Sequence, residues 1–333
     1  MKKMGWALVG TGIIVKKFLA GLRTAQGVGE ICVVSRSLER ARAFAAENGL
    51  DHGYDDIRQA LENPNVDVVY IGTPHTQHRE CALAALKAKK GVLCEKPVSV
   101  SAWEMEEMQK AALENGAFFM EAMWTRFMPA VCKVREWIQQ GQIGEVKMVQ
   151  ANFGFQTPWN PEWRLLNPWV GGGALLDAGI YPISMSAMAF AGHKVQEVKA
   201  CMSIGQTGVD EAFMGVLSFG EGRMASVNAA IRTNMQSDAW IYGETGRIHM
   251  PDFVFGRSAI LQSDGRFVQP YTPEVRGNGY AYEAEEVMNC IREGKLESGV
   301  MPMDESLALM RVMDEVRGQC GLRYPFEEEG RGR

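Results

Sequence analysis

The sequence has no excess of positive charge, and this absence excludes one broad class of function. Its 333 residues carry 35 lysines and arginines against 40 aspartates and glutamates, which gives a formal net charge of −5, and no basic tract stands out. Because nucleic acids are bound through clustered lysine and arginine side chains, we expect no nucleic-acid partner.

Metal-ligand spacings and long apolar runs are also missing. The seven cysteines are scattered without a Cys-x-x-Cys pair or a Cys/His spacing, so we expect no metal site and reduced thiols. No apolar run approaches the roughly 18 residues of a membrane helix, and Met1-Lys2-Lys3-Met4 leads into a strand without a signal peptide. These absences predict a cytoplasmic protein with no membrane partner.

The first third of the chain alternates short apolar runs with amphipathic ones. Six runs have the length and composition of buried strands, at residues 6–9, 30–34, near 54, 66–71, 92–94 and 118–120. Helix-like segments separate them, as in chains that build a parallel sheet through crossover connections. The pattern predicts a doubly wound parallel sheet, a Rossmann fold of the α/β class, over residues 1–121.

From residue 122 onward the pattern is different. The strand-like runs now alternate apolar with polar residues or carry turn residues, at 146–155, 198–204, 212–219, 224–231 and 239–242. They predict a second, α+β domain over residues 122–333, with a large, mostly antiparallel open sheet. One face of that sheet is rich in apolar residues, which is typical of a surface covered by a second subunit, so we expect a homodimer.

A glycine turn joins the first strand to the first helix. In Gly10-Thr11-Gly12-Ile13-Ile14, the first glycine allows a tight turn and the second lets the backbone approach a pyrophosphate at the helix N-terminus. Val15 stands where a third glycine or alanine is usual, so the match is partial and depends on its strand–turn–helix context. The five residues of this turn are our candidates for holding a dinucleotide.

The end of the second strand bears on which dinucleotide is bound. An NAD site places Asp or Glu there for the ribose 2′-hydroxyl, but Glu30 is at the opposite end of the strand and Glu39 is already in the helix. Ser35, Arg36 and Arg40 suit a 2′-phosphate instead, which favours NADP over NAD. The alternative is that the arginines only decorate a helix start.

Polar residues also follow the fourth and fifth strands, at the edge where ligands of such sheets bind. After the fourth strand, the candidates for contacting the cofactor are Thr73, Pro74, His75 and His78. Taken alone, each histidine is better described as a helix-capping polar residue. The fifth strand ends in Glu95-Lys96-Pro97, where a cis bond before the proline would orient the amine, and an ordinary charged turn is the alternative.

A glycine-rich run in the second domain carries two further candidates. Gly171-Gly172-Gly173 brings the backbone close to a neighbouring group, and Asp177 and Tyr181, four residues apart, share one face if the segment is helical. Pro182 predicts a kink or a restart of that helix. A buried Asp–Tyr hydrogen bond would explain the pair structurally, whereas proton transfer would also need Lys96 nearby.

Together these motifs resemble the Gfo/Idh/MocA oxidoreductases over essentially the whole chain. The resemblance rests on Gly10-Thr11-Gly12, Thr73-Pro74 with His78, Glu95-Lys96-Pro97 and the run that ends in Asp177-Ala178-Gly179-Ile180-Tyr181. Residues 119–127, 172–177 and 282–284 carry a closer resemblance to one subgroup, and Tyr181 stands where many members have histidine. The resemblance implies Lys96, Asp177 and Tyr181 around the nicotinamide C4. It places Trp124 and Arg126 at the cofactor and beside the substrate.

The resemblance implies hydride transfer between NADP and a secondary alcohol or the anomeric carbon of a sugar, polyol or trans-dihydrodiol. Oxidation of an alcohol needs a base for the O–H proton, and a free phenol titrates near ~10, too high to serve at neutral pH. An ammonium group nearby favours the phenolate. We therefore expect Tyr181 to be the acid/base, Lys96 to assist it, and Asp177 to orient a substrate hydroxyl or Lys96.

Two alternatives stay open. A glucose–fructose-type oxidoreductase that retains its nucleotide is similar around Asp177 and Tyr181. Against it, the chain starts a few residues before the first strand, so we expect no arm that clamps the cofactor. A non-catalytic NADP-binding regulator is less consistent with the joint presence of the three catalytic candidates. Loops 156–166, with Trp159 and Trp163, and 273–280 are expected to form the pocket walls, and their aromatics suit a sugar or an aromatic diol equally.

Overall fold

The chain forms two compact units that interleave along the sequence. The computed structural model describes residues 3–263, 266–267 and 270–329. The first unit comprises Met1–Phe127 and Val275–Leu307, and the second comprises Met128–Glu274 and Ala308–Arg333. The division expected from the sequence has one boundary, after residue 121, whereas in the structure a late segment of the chain packs with the first unit.

A six-stranded parallel sheet forms the centre of the first unit. Its strands are β1 (Met4–Val9), β2 (Val28–Val34), β3 (His52–Tyr54), β4 (Val66–Ile71), β5 (Gly91–Glu95) and β6 (Phe119–Ala122). They lie in the order β3-β2-β1-β4-β5-β6, and every neighbouring pair is parallel. The predicted doubly wound sheet is confirmed, and its order reverses between β1 and β4.

Helices connect these strands and close the first unit. They are α1 (Ile13–Leu22), α2 (Leu38–Asn48), α3 (Ile57–Glu62), α4 (His78–Lys87), α5 (Ala102–Asn115) and α8 (Tyr280–Arg292). The Ser37 hydroxyl caps α2, and Gly49 ends it in the left-handed conformation. The helix α4 ends at Lys87, and Lys89, two residues further on, has a φ of 57° that no right-handed helix can continue.

Aromatic packing explains why α8 belongs to the first unit. The ring of Phe18 in α1 stacks on Tyr70 in β4, with 3.7 Å between centroids and 3° between planes. Trp6 of β1 lies 5.6 Å from Phe18, and Tyr280 of α8 meets the same ring edge-on at 6.4 Å. Buried aromatic side chains contribute large apolar areas, so this cluster joins α1, the sheet and α8.

The second unit is built on an eight-stranded, mostly antiparallel sheet, as predicted. Its strands are β7 (Val146–Gly154), β8 (Glu197–Ile204), β9 (Asp210–Gly220), β10 (Arg223–Ala230), β11 (Asp238–Gly243), β12 (Gly246–Pro251), β13 (Ile260–Ser263) and β14 (Arg266–Phe267). They lie in the order β14-β13-β12-β11-β7-β10-β9-β8, and only β7 and β10 run parallel. The sequence analysis did not predict the last three strands: β13 and β14 span only four and two residues, and β12, in which buried Ile248 and Met250 alternate with more exposed residues, was missed.

The two faces of this sheet differ. The helices of this unit are α6 (Pro129–Gln139), α7 (Ile180–Ala189) and α10 (Pro325–Glu329), and α9 (Met303–Cys320) runs from the first unit into it. Val149, Ala225 and Leu217 are buried on the face that α7 covers, whereas Met148 and Met224, paired in register, are exposed on the other. Among the described residues, no helix has the length and apolar character needed to cross a membrane.

Gly5 in β1 offers a test of the packing between β1 and β4. A Cβ at this position would lie 1.8 Å from the carbonyl oxygen of Asn65. We expect Gly5→Ala to lower the free energy of unfolding by at least about 2 kcal/mol, because backbone atoms must move apart. Urea denaturation measures this change, and Gly299→Ala is the control because nothing lies within 4 Å of its Cβ position. Equal midpoints for the two variants would contradict the proposed clash.

Candidate active site

The glycine turn lies at the point where the strand order reverses. Gly10 has a φ of 110°, and its N–H donates to the Val34 carbonyl oxygen over 2.9 Å. Val15, the departure from the usual glycine pattern, is buried, and a Cβ on Gly72 would lie 2.7 Å from its Cγ2. The missing third glycine is therefore compensated by a glycine at the end of the neighbouring strand β4.

The N-terminus of α1 has the properties of an anion site. Its first turn has no acidic residue, and among the residues that the structure describes no side chain caps it and nothing lies within 4 Å of a Cβ placed on Gly12. Ile13, the first helical residue, is 78% exposed. Thr11 and Ile14, the other candidates of the turn, are half-buried. Because the open N–H groups and the helix dipole favour negative charge, these residues fit a dinucleotide pyrophosphate.

The carboxyl end of β2 presents a positively charged surface. Ser35 is half-buried, and Arg36 and Arg40 are exposed. Within residues 3–263, 266–267 and 270–329, neither arginine side chain forms a hydrogen bond or an ion pair. Glu30 lies at the other end of β2, where its carboxylate accepts hydrogen bonds from Asn63 and Asn65. A ribose 2′-phosphate would therefore meet cations here and no carboxylate from β2.

His78 joins the loops that follow β4 and β5. Its ring is fully buried, with Nδ1 3.0 Å from the Pro97 carbonyl oxygen and Nε2 2.9 Å from that of Thr73. Helix capping therefore does not describe its side chain. His75 is also buried, with its ring 5.7 Å from that of His78, and Pro74 precedes it as the N-cap of a short 3₁₀ turn.

Thr73 Oγ1 is buried and has no hydrogen-bond partner among the described residues. Buried hydroxyl groups in proteins are normally hydrogen-bonded. The unused hydrogen-bonding capacity of Thr73 at this edge of the sheet therefore fits a contact with a bound cofactor.

Glu95 is tied into a buried acidic cluster. The Tyr70 hydroxyl donates to its Oε1 over 2.6 Å, and Glu283 of α8 is fully buried nearby. Burial, followed by the negative charge of Glu95, raises the pKa of Glu283 well above its usual range. Burial and the neighbouring negative charge both favour the neutral form of Glu283. At least one oxygen of Glu95 is therefore occupied by a hydrogen bond within the protein, from the Tyr70 hydroxyl.

Two more candidates, Trp124 and Arg126, lie in a 3₁₀ turn of the first unit. Both side chains are buried. The indole stacks on Tyr280 with 5.0 Å between centroids, and the guanidinium forms an ion pair with Glu305. These contacts hold both side chains in fixed orientations within the first unit.

Glu121 fastens the loop that carries Lys96. Lys96 is half-buried at the end of β5, and the Lys96–Pro97 bond is cis, which the sequence analysis had considered. The Glu121 carboxylate accepts the Val98 N–H over 2.9 Å and the Ser306 hydroxyl over 2.8 Å. Burial raises the pKa of Glu121 to about 7, against the opposing effect of these hydrogen bonds and of Arg126.

Asp177 and Tyr181 lie in the second unit, on a helical segment of unusual geometry. Leu175–Gly179 forms a π-helical turn that continues into α7, and both side chains are buried. Pro182 has no N–H to donate to the preceding turn. The backbone of that turn adopts the wider π-helical geometry, and the helix continues without a break. The ring of Tyr181 meets Phe153 edge-on at 5.5 Å.

Sequence reasoning missed Arg164, which forms an ion pair with Asp177. Its Nη1 lies 2.6 Å from Asp177 Oδ1, and the arginine side chain is about half exposed while the aspartate is buried. An opposite charge at this distance favours the ionised form of the carboxylate. Only its place in a tryptophan-rich loop before the glycine run could have drawn attention to it.

Asp210 holds the start of the helical segment that carries Asp177. Its Oδ2 accepts the Leu175 N–H over 2.6 Å, and it is fully buried. Gly173 has a φ of 119°, and a Cβ there would lie 2.1 Å from Asp210 Oδ1. Burial raises the pKa of Asp210 to about 7, while backbone hydrogen bonds and the charge of Arg317 oppose the shift.

The candidates thus fall into two groups. The first unit carries the residues predicted for the cofactor together with Lys96, and the second carries Asp177 and Tyr181. In the part of the chain that the structure describes, no group of three His, Cys, Asp or Glu side chains could hold a metal ion.

Comparison with known proteins places both parts of the chain. Residues 4–123 match the oxidoreductase family with an NAD-binding Rossmann fold (Gfo/Idh/MocA), and residues 131–249 match the C-terminal domain of that family. A curated relative, the trans-1,2-dihydrobenzene-1,2-diol dehydrogenase of Danio rerio, is 35% identical over 332 residues, which span 97% of this chain and 99% of that protein.

Solved structures share the fold over nearly the whole chain. An aldose–aldose oxidoreductase from Caulobacter crescentus, complexed with glycerol, has a TM-score of 0.88 at 23% identity, covering 96% of this chain and 98% of that one. A levoglucosan dehydrogenase complexed with NADH and levoglucosan has a TM-score of 0.85 at 21% identity with the same coverage. At these identities the likeness concerns the fold.

The raised pKa of Glu121 gives a pH-dependent test of the site. A folded-state pKa of about 7, against an ordinary value of 4.5, means that the folded protein holds this proton more tightly than the unfolded chain does. The stabilisation that comes from this tightly held proton is complete below pH 4.5 and is lost as the pH rises through about 7. We expect the free energy of unfolding of Glu121→Gln to rise by up to about 3 kcal/mol relative to wild type over this range.

Urea denaturation at pH 4.5 to 8 measures the difference. The control is Glu107→Gln on α5, an exposed glutamate in the same unit. A difference between wild type and Glu121→Gln that stays constant with pH would show that Glu121 is not a raised-pKa group.

Proposed function

The chain belongs to the Gfo/Idh/MocA family of oxidoreductases, and from this premise we propose that it is an NADP-dependent dehydrogenase of sugars, polyols or trans-dihydrodiols. It is a dehydrogenase or reductase that acts on CH–OH groups and has a Rossmann NAD(P)-binding fold. The proposed substrates and catalytic residues rest mainly on one observation: Asp177 and Tyr181 are buried together on one helical segment, with Arg164 paired to the aspartate. The transferred hydride would come from a secondary alcohol or an anomeric carbon.

The preference for NADP over NAD rests on the end of β2. Arg36 and Arg40 have no ion-pair partner among the described residues, and β2 ends without a carboxylate that would bind a ribose 2′-hydroxyl. Arg36, helped by Ser35 and Arg40, would hold the 2′-phosphate. The open N-terminus of α1 would hold the pyrophosphate through Gly10, Thr11, Gly12, Ile13 and Ile14. The nicotinamide end would meet Thr73, Pro74, His75, His78, Glu95, Lys96, Trp124 and Arg126.

The proposed chemistry assigns one proton to Tyr181. When bound, NADP supplies the hydride acceptor. The phenolate of Tyr181 would take the O–H proton of the substrate and hold it at Oη. A free phenol has a pKa near ~10, so the reaction needs a nearby cation, which is the role proposed for the Lys96 ammonium. Asp177, paired with Arg164, would orient a substrate hydroxyl or Lys96.

A second copy of the chain is the proposed partner of the open sheet face. Met148, Met214, Val216 and Met224 are exposed on the three adjacent strands β7, β10 and β9. Large apolar side chains exposed on one face of adjacent strands are typical of a protein interface, so we propose a homodimer. The seven cysteines are free, which is consistent with a reducing, cytoplasmic location.

The primary test follows NADPH fluorescence with a panel of aldoses, polyols and dihydrodiols, using NADP and NAD in parallel. Steady-state turnover with release of NADPH supports the proposal. Turnover only between two sugars, with the nucleotide retained, supports the glucose–fructose type of reaction. Tight nucleotide binding without turnover of any substrate supports a non-catalytic regulator.

Tyr181→Phe tests the proposed acid/base. We expect kcat to fall by about 10²- to 10⁴-fold, because the phenol oxygen that exchanges the proton is gone. The Kd for NADP, measured by fluorescence titration, should stay unchanged. Tyr271→Phe in the same unit is the matched control and should keep wild-type kcat. Near-wild-type turnover by Tyr181→Phe with NADP bound would remove Tyr181 from the mechanism.

Arg36→Ala tests the assignment to NADP. Loss of a charge-assisted contact to a phosphate should raise the Kd for NADP by about 10- to 100-fold and leave the Kd for NAD unchanged. Isothermal titration calorimetry measures both constants. Arg42→Ala, at an exposed arginine on α2, the helix that follows Arg36, is the control. An equal effect on NAD and NADP would argue that Arg36 does not contact the 2′-phosphate.

A further inference from the structure

The loop between β7 and the glycine-rich run presents three indole side chains to solvent. Trp159, Trp163 and Trp169 are 45%, 49% and 53% exposed. Tryptophan is highly buried on average, and single exposed apolar residues are common, but three within so short a segment form an unusual surface. We call residues 157–170 the tryptophan loop.

The tryptophan loop is held in place by its own hydrogen bonds. The Trp163 N–H donates to the Asn160 carbonyl over 3.1 Å, and the Leu166 N–H donates to the Trp163 carbonyl over 2.9 Å. The Asn167 side chain accepts the Trp169 N–H over 2.9 Å, and Leu166 is fully buried. A ligand that binds such a loop loses little affinity to ordering it.

The loop is attached to the proposed active site at its centre. Arg164, the residue after Trp163, forms the ion pair with Asp177. The Gly173 N–H donates to the Leu165 carbonyl over 2.9 Å, which fixes the same part of the loop to the glycine-rich run. The backbone that carries the indoles is therefore fixed, on both sides of Arg164, to the segment that holds Asp177.

Cationic groups accompany the indoles. The guanidinium of Arg232 lies 5.6 Å from the ring centroid of Trp159 and donates to the Thr157 carbonyl. An indole face packs against the C–H face of a sugar ring, while a guanidinium donates to its hydroxyls. This combination suits a carbohydrate better than an apolar protein segment, which could not use the hydrogen-bond donors.

We propose that the tryptophan loop binds a second sugar ring, so that the substrate is a disaccharide or glycoside whose oxidised ring lies at Asp177 and Tyr181. This inference rests on the proposed function. One small ring covers one indole face, and three separate indoles offer more apolar surface than a monosaccharide or a small diol can bury. A β-1,4-linked glucose unit, with equatorial substituents and exposed C–H faces, is a suitable probe.

The experiment compares kcat/KM for cellobiose and D-glucose with NADP. We expect the wild type to favour cellobiose by about 10-fold or more, and Trp159→Ala and Trp163→Ala each to lower kcat/KM for cellobiose by about 2- to 10-fold. The values for glucose, which would occupy only the ring position at Asp177 and Tyr181, should change less than those for cellobiose. The matched control is Trp103→Ala in the first unit, whose indole is 55% exposed and also has an arginine, Arg79, at 5.0 Å.

A second readout separates this inference from the proposed function. Quenching of intrinsic tryptophan fluorescence by cellobiose, without NADP, reports binding at the loop alone. Suppose that the protein oxidises no sugar but its fluorescence is quenched by cellobiose, and that Trp159→Ala and Trp163→Ala remove this quenching. That result would support sugar binding by the tryptophan loop and reject the proposed dehydrogenase function.

Two outcomes overturn the inference. The first is turnover of cellobiose and glucose with equal kcat/KM and no effect of the tryptophan variants, which leaves the proposed function intact. The second is a change from dimer to monomer in light scattering for the variants with unchanged kinetics, which would make the loop an interface between copies.

Discussion

Two buried carboxylates hold the backbone beside the candidate catalytic residues, and the geometry of the site depends on them. Glu121 accepts the N–H of Val98 in the loop after β5, and Asp210 accepts the N–H of Leu175 at the start of the π-helical turn. Neither N–H group has a partner in a regular strand or helix, so each carboxylate replaces the missing backbone acceptor. The lysine loop and the aspartate–tyrosine helix are thus each fixed from inside their own unit.

This arrangement has an electrostatic consequence. A carboxylate transferred from water to the interior loses hydration, and hydrogen bonds from backbone N–H groups compensate only in part. The pKa values of Glu121 and Asp210 therefore rise to about 7, and burial beside Glu95 raises that of Glu283 well above its usual range. Burial of these carboxylates lowers the stability of the protein near neutral pH, while their hydrogen bonds make the site rigid. Such a loss of stability is common where function requires polar groups in a core.

Local patterns predicted most of the fold. The short apolar runs and the turn residues between them located β1 to β11 within a few residues, because alternation and helix caps depend on near neighbours. The strands β12, β13 and β14 were not predicted: β13 and β14 span only four and two residues, and β12 pairs on both sides, with β11 and β13. Local patterns also could not show that Val15 is accommodated by Gly72, since the two residues meet only when β1 and β4 pair.

The sequence by itself determined the order of elements, the α/β class of the first unit, the open sheet of the second, and the residue types present for hydride chemistry. Only the tertiary structure decided that α8 packs with the first unit, that Arg164 pairs with Asp177, and that Asp210 supports the helix beside it. These features are contacts between residues distant in the chain or in irregular loops. Their energies depend on burial and on distances that no local propensity encodes, so they become defined only when the chain has folded.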